Sequence, residues 1–225
     1  LAENASGKET VVYQSNLNNP ALKWETSDQL NLGLDLSLWR GRFTLTVDAY
    51  SKKTRDLLQS KNVAISTGIA SMYVNEGVIR NDGLEITVEG VPVKRGSLEW
   101  IVGGNISFNR NTVVNIGSTG DRSKLFLDWT SPARDCRYFY GSAMQTSGDT
   151  NPLNIFIEGQ PMGLFYGYKM DGIVQTGETD VPGFSLDEKR KPGQIKYKDL
   201  NGNGYIDVGD RTIIGNPLPL FTYGF

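Results

Sequence analysis

Apolar and polar residues alternate strictly in two runs near the start of the chain. In QLNLGLDLSL, Leu30, Leu32, Leu34, Leu36 and Leu38 fall on one side, and Asn31, Gly33, Asp35 and Ser37 on the other. After the short connection Trp39-Arg40-Gly41 the alternation resumes. Phe43, Leu45, Val47 and Ala49 interleave with Thr44, Thr46, Asp48 and Tyr50. Strand side chains point alternately to opposite faces, so each run predicts a strand with one apolar and one polar face, and the pair predicts a hairpin.

The pattern recurs further on. A less regular stretch covers residues 54–79. Leu84, Ile86 and Val88 then alternate with Glu85, Thr87 and Glu89. A second short connection around Lys94-Arg95-Gly96 leads to Leu98, Trp100, Val102, Ile106 and Phe108, facing away from Glu99, Gly103, Asn105, Ser107 and Asn109. Ile101 breaks the rule. A long connection spans 111–158, GLFYGYKMDGIV (163–174) predicts a fifth strand, another long connection covers 175–220, and PLFTYGF begins a sixth strand. Little of the chain carries a helical period.

Two all-β architectures fit. One is a soluble β-sandwich, secreted or displayed at a surface, that binds carbohydrate and carries a structural calcium loop. The other is part of an antiparallel transmembrane β-barrel. Strand length favours the barrel, because tilted strands need about 9–11 residues to cross a bilayer whereas globular strands centre on about 5–6. Connections that alternate short and long also favour it, as do the acidic residues Asp35, Asp48, Glu85, Glu89 and Glu99, which suit a wet lumen. Trp39 and Tyr50 stand near strand ends, where interfacial aromatics belong, although simple turn packing accounts for them as well.

Composition narrows the function. The 225 residues carry a net charge of −2 and no long basic run, which argues against nucleic-acid capture. There is no histidine, so imidazole bases, His-containing triads and His-ligated zinc are excluded within this chain. Cys136 is the one cysteine, which leaves no internal disulfide and no multi-cysteine metal site. No Gly-x-Ser-x-Gly elbow or Walker loop occurs, and no carboxylate pair stands out as catalytic, so a non-enzymatic role is expected. No stretch approaches the roughly 18 apolar residues of a transmembrane helix. No leader peptide is visible ahead of the first residues.

One segment has the spacing of a chemical site. In DLNGNGYIDVGD, Asp199, Asn201 and Asn203 fit positions one, three and five of a calcium loop. Gly204 supplies the sharp turn, Tyr205 a backbone carbonyl at seven, Asp207 position nine and Asp210 position twelve. The last is aspartate where the template has glutamate. The same residues also fit a metal-free turn, since Asn-Gly tolerates positive φ and aspartates cap nearby N–H groups. Both readings stay open. So do two roles for Trp129, Tyr138, Phe139 and Tyr140 in the 111–158 segment: contact with a glycan or partner, or packing of the segment on itself.

Specific residue blocks then point to a family. NPALKWETSDQLNLGLDLSLWRGRFTLTVDAYSKKTRDLL, NEGVIRNDGLEITVEG, GQPMGLFYGYKMDGIVQ and PGQIKYKDLNGNGYIDVGDRTIIGNPLPLFTYGF, in this order, resemble the SusC family of TonB-dependent outer-membrane transporters. The resemblance implies several strands of a 22-stranded barrel, with residues 1–225 a piece that lacks the plug and the TonB-contacting segment. It implies a cell outer-membrane location in contact with membrane lipid, and extracellular placement of 111–158 and 175–220. It also implies a SusD-like surface lipoprotein as partner, energy from the TonB system, and import of oligosaccharide or peptide. No cofactor is required, and a structural calcium at 199–210 stays one of the two open readings of that segment. Similar members continue past Tyr-Gly-Phe, so Phe225 is expected to be an arbitrary end.

Overall fold

The computed structural model describes residues 2–3, 9–10, 16–141, 143–146 and 149–225. The labelled strands are β1 (Thr26–Leu38), β2 (Phe43–Arg55), β3 (Leu58–Asn62), β4 (Ser71–Asn75), β5 (Val78–Arg95), β6 (Leu98–Asn115) and β7 (Asp121–Leu125). They continue with β8 (Arg134–Tyr140), β9 (Asn154–Ile157), β10 (Leu164–Tyr168), β11 (Met170–Ile173), β12 (Ile195–Tyr197), β13 (Arg211–Gly215) and β14 (Thr222–Gly224). No α-helix occurs among the described residues.

The two alternating runs form β1 and β2, paired antiparallel without a break from Thr26 opposite Arg55 to Leu38 opposite Phe43. Together with β5, β6 and β14 they build one five-stranded antiparallel sheet, ordered β14-β6-β5-β2-β1. Its register stacks like with like. Leu34, Val47, Ile86, Ile106 and Tyr223 form one apolar row, and Asp35, Thr46, Thr87, Asn105 and Gly224 the adjacent polar row. A one-residue slip of any strand would exchange the two faces, so the alternation itself fixes the pairing.

The connections differ sharply between the two ends. At one end β1 turns into β2 through residues 39–42, where Trp39, Arg40 and Gly41 take φ of 51°, 59° and 82°. There too, β5 turns into β6 through residues 96–97, with Gly96 at φ 61°. At the other end lie residues 56–77 and residues 116–221, the latter nearly half of the chain.

The long segments are more ordered than their irregular patterning predicts. Residues 54–79 contain the β3–β4 hairpin, paired from Leu58 opposite Asn75 to Asn62 opposite Ser71. Within 116–221, a second five-stranded sheet of order β7-β8-β9-β10-β13 closes over Leu125, Ile155, Ile157, Leu164 and Tyr166. The expected fifth strand at 163–174 is therefore corrected. It divides at Lys169 into β10, which belongs to this second sheet, and β11, which pairs with β12. Leu164 and Tyr166 alternate because they enter the insertion's own core, not because they line the large sheet.

The insertion is fastened to the large sheet through residues 158–162, between β9 and β10. Val113 N–H donates to Gln160 O at 2.9 Å, and Gly159 N–H donates to Val113 O at 2.8 Å. The Asn111 side chain donates to Asn81 at 2.6 Å and accepts from Met162 N–H at 3.2 Å. The Ile116 N–H donates to Glu158 at 2.9 Å.

Candidate functional site

The large sheet exposes its apolar face. Leu30, Leu32, Leu34, Leu36 and Leu38 are all exposed, Leu32 at 75% and Leu34 at 52%. Val88, Val102, Leu84 and Phe108 extend the surface across neighbouring strands. Among the described residues no second sheet covers this face, as a barrel wall requires and a sandwich does not. From Leu30 to Leu38 the band runs eight residues, roughly 26 Å along the strand at about 3.3 Å per residue. That matches the apolar belt of about 25 Å on an outer-membrane barrel. The belt ends where Leu30 meets Ser51, Asp82 and Arg110 in one row. At the other end stand Trp39 and Trp100, both well exposed. The opposite face carries Asp35, bonded by Thr46 Oγ1 at 2.8 Å, beside Asp48 and Glu85. Tyr50 lies flat over Gly83, where a Cβ would stand 2.2 Å from its ring, so that position admits only glycine without displacing the ring.

The 199–210 segment folds as a closed turn. Asp199 accepts from Gly202 N–H at 2.6 Å and Gly204 N–H at 2.7 Å. Asn201 and Asn203 each cap the N–H two residues on, at 3.0 and 3.1 Å. Their amide nitrogens donate to Asp207 at 3.3 and 2.8 Å. Asp210 is fully buried and accepts from Leu200, Asn201 and Asp207 N–H at 2.8, 3.2 and 2.8 Å. Burial pushes its carboxyl above the ordinary range, against the downward pull of those three donors. Tyr205 is half-buried, while Ile206 is buried and donates its N–H to Gly183 O at 2.7 Å. The side-chain oxygens of Asp199, Asn201, Asn203, Asp207 and Asp210 thus already accept from N–H groups within the turn. No group of three or more acidic or thiol side chains converges as a metal cage among the described residues.

Immediately after the turn, Arg211 enters β13 and Tyr168 of β10 stacks on its guanidinium at 5.2 Å. Tyr168, Phe184 and Tyr197 form a ring cluster with centroids 5.6–5.8 Å apart. Between this cluster and the turn opens a cleft of about 640 Å³.

Comparison with known proteins decides the family. Residues 2–206 match the family model described as TonB dependent receptor-like, beta-barrel. The chain belongs to the TonB-dependent receptor β-barrel family. It is 36% identical over 207 residues to TonB-dependent receptor P3 of Formosa agariphila, covering 92% of this chain and 19% of that protein. It is 28% identical over 200 residues to TonB-dependent receptor SusC of Bacteroides thetaiotaomicron, covering 88% of this chain and 17% of SusC. Among solved structures, that of the RagAB peptide transporter superposes with a TM-score of 0.60 at 21% identity, covering 92% of this chain and 20% of that one. The chain therefore spans about a fifth of the length of these relatives. The large sheet is part of the wall of a transmembrane receptor barrel.

Within this receptor barrel the four aromatics singled out in 111–158 pack mainly on the insertion itself. Phe139 stacks on Phe156 at 4.5 Å, and Tyr138 meets Tyr140 edge-on at 5.1 Å. Tyr140 in turn leans on Tyr166 at 5.8 Å. Burial against this cluster holds the Tyr138 hydroxyl up at about 12. Trp129 stands apart, with Lys169 Nζ 3.8 Å above its ring. Cys136 is half-buried against the same core, which pushes its thiol up. These residues do not converge with 199–210 on one site. The residue that sequence patterning missed is Arg211. Nothing local distinguishes it from other arginines, because its burial comes from strands far away in sequence.

Proposed function

We propose that this receptor barrel segment is part of an outer-membrane importer of the SusC type in a Gram-negative, Bacteroidetes-type envelope. In this reading the apolar band of β1, β2, β5 and β6 faces lipid and the acidic face lines the lumen. Residues 56–77 and 116–221 face outward, and the turns at 39–42 and 96–97 face the periplasm. A SusD-like lipoprotein caps the outer side, oligosaccharide or peptide passes through, and energy comes through the TonB system by way of a plug contributed from elsewhere in the protein. The segment catalyses nothing. The observation that carries the reading is the register, which collects Leu32, Leu34 and Leu36 with Ala49, Val47, Leu45, Leu84, Ile86 and Val88 on one face and Asp35, Asp48, Glu85 and Glu89 on the other.

Its test is side-selective labelling of the full receptor in cells, in a Cys136→Ser background. Ser185→Cys should react with a membrane-impermeant maleimide on intact cells, and Gly41→Cys only after the outer membrane is opened. Equal labelling of both on intact cells refutes the orientation. Uptake that survives loss of TonB refutes the importer.

For the 199–210 turn we infer a shape held by its own hydrogen bonds, with no calcium required. The N–H donors that occupy Asp199 and Asp210 support this.

A further inference from the structure

The cleft beside the turn holds a charge that has no counter-ion among the described residues. Arg211 is only 9% exposed. Its guanidinium donates to the Asn151 side chain and lies over Tyr168. Among the described residues no carboxylate stands within 4.0 Å of it, whereas nine other cations form ion pairs inside that distance. Removing a guanidinium from water costs several kcal/mol unless an anion compensates it. A neutral amide and one ring face do so only in part.

The surroundings say what would complete it. Phe184 and Tyr168 form one wall, and Ile206 and Val208 the other. Asp207 is the carboxylate that lines the cleft, and its oxygens already accept from Gly209 N–H at 2.6 Å and from the Asn201 and Asn203 amides. A carboxylate offers roughly four acceptor positions, so about one is left for an incoming N–H. A second guanidinium, Arg190, stacks on Phe184 at 4.5 Å, and its Nε has no hydrogen-bond partner among the described residues. The cleft thus presents a cation suited to bidentate carboxylate recognition, one spare acceptor and two apolar walls.

We propose that this cleft binds the carboxy-terminal residue of a peptide. The terminal carboxylate bonds Arg211, the terminal N–H bonds Asp207, and an apolar side chain lies between Phe184 and Val208. A neutral sugar fits less well, because it brings no carboxylate to compensate the Arg211 charge. The site rests on the importer reading only for its access from outside; binding itself does not depend on transport.

The full receptor, purified in detergent, is titrated calorimetrically with acetyl-Ala-Ala-Leu as the free acid, with the same peptide as its carboxamide, and with glucuronic acid. The free acid should bind. The carboxamide, and the free acid with Arg211→Gln, should bind about 10- to 100-fold more weakly, the loss expected for a charge-assisted hydrogen-bond pair. Val208→Asp, at a side chain 69% exposed, should weaken the acid by repulsion while leaving thermal unfolding unchanged. Equal binding of acid and amide overturns the proposal, as does glucuronic acid binding as tightly as the peptide. If Arg211→Gln does not fold, Val208→Asp carries the test, and unchanged affinity in that variant overturns the site. Intact peptide binding without uptake strikes the importer reading and leaves this site standing.

Discussion

An arginine placed at Leu34 should cost more than the same arginine at any other position of β1. Leu34 lies in the central row with Val47, Ile86 and Ile106, four residues from either end of the Leu30–Leu38 band. That is roughly 13 Å of strand on each side. A lipid-facing arginine at the bilayer midplane costs about 2–4 kcal/mol, falling to about 0–1 kcal/mol at the interfaces. Leu34→Arg should therefore destabilise the barrel by about 3 kcal/mol and Leu30→Arg by about 1 kcal/mol or less. Asp35→Arg, one residue away but on the polar face, changes lumen charge and should leave membrane stability nearly unaltered. It forfeits the Thr46 bond, worth about 1 kcal/mol. The assay is reversible urea unfolding of the full receptor in liposomes, followed by tryptophan fluorescence. The gradient is the decisive quantity. Equal losses at Leu34 and Leu30, or a larger loss at Asp35 than at Leu34, would refute the assignment of the apolar face to lipid.

Other consequences are open to direct measurement. Asp210→Ala removes the acceptor for three backbone N–H groups and should loosen the turn by about 3–5 kcal/mol, seen as faster hydrogen exchange at Leu200, Asn201 and Asp207. Chelation of calcium should leave exchange at those amides and the melting temperature unchanged; a binding heat for calcium that vanishes in Asp199→Ala/Asp210→Ala would overturn the self-sufficient turn. Tyr138 titrates near 12 when folded, above an unfolded tyrosine, so its contribution is complete below about pH 10 and lost as pH rises through 12. Tyr138→Phe should remove that alkaline loosening, read as ultraviolet absorbance of tyrosinate. Gly83→Ala drives a methyl into the Tyr50 ring and should cost about 1–3 kcal/mol unless Tyr50 is also trimmed to alanine.

The wall was legible because its physics is local. A strand with lipid on one side and water on the other must alternate at every step, so Leu30–Leu38 and Phe43–Ala49 announce both strand and face. β5 and β6 were found but begin or end beyond their alternating cores, since Val78–Arg80 and Thr112–Asn115 pair near the insertion without a strict alternation. The insertion was not legible for the opposite reason. Its core is assembled from isolated residues such as Leu125, Ile155 and Leu164 on short strands, paired across loops of varied length. GLFYGYKMDGIV shows the hazard: its alternation is real, yet the Lys169 break and the facing partner β13 place its halves in different sheets. For DLNGNGYIDVGD, sequence gave the ligand order without the hydrogen bonds that occupy those oxygens. Arg211 became visible only through its burial.

The placement of residues 116–221 between β6 and β14 bears on how such a protein can change over evolutionary time. The two strands are neighbours in the wall, so the intervening chain leaves and rejoins the same seam of the barrel. Lipid dictates almost every second residue of the wall, while the insertion answers mainly to its own small core and a few anchoring bonds near Val113. Mutation can therefore rewrite the insertion, lengthen it or exchange it for another without renegotiating strand register. A lineage can diversify the insertion while inheriting the wall nearly intact, and an engineer can graft at the same seam.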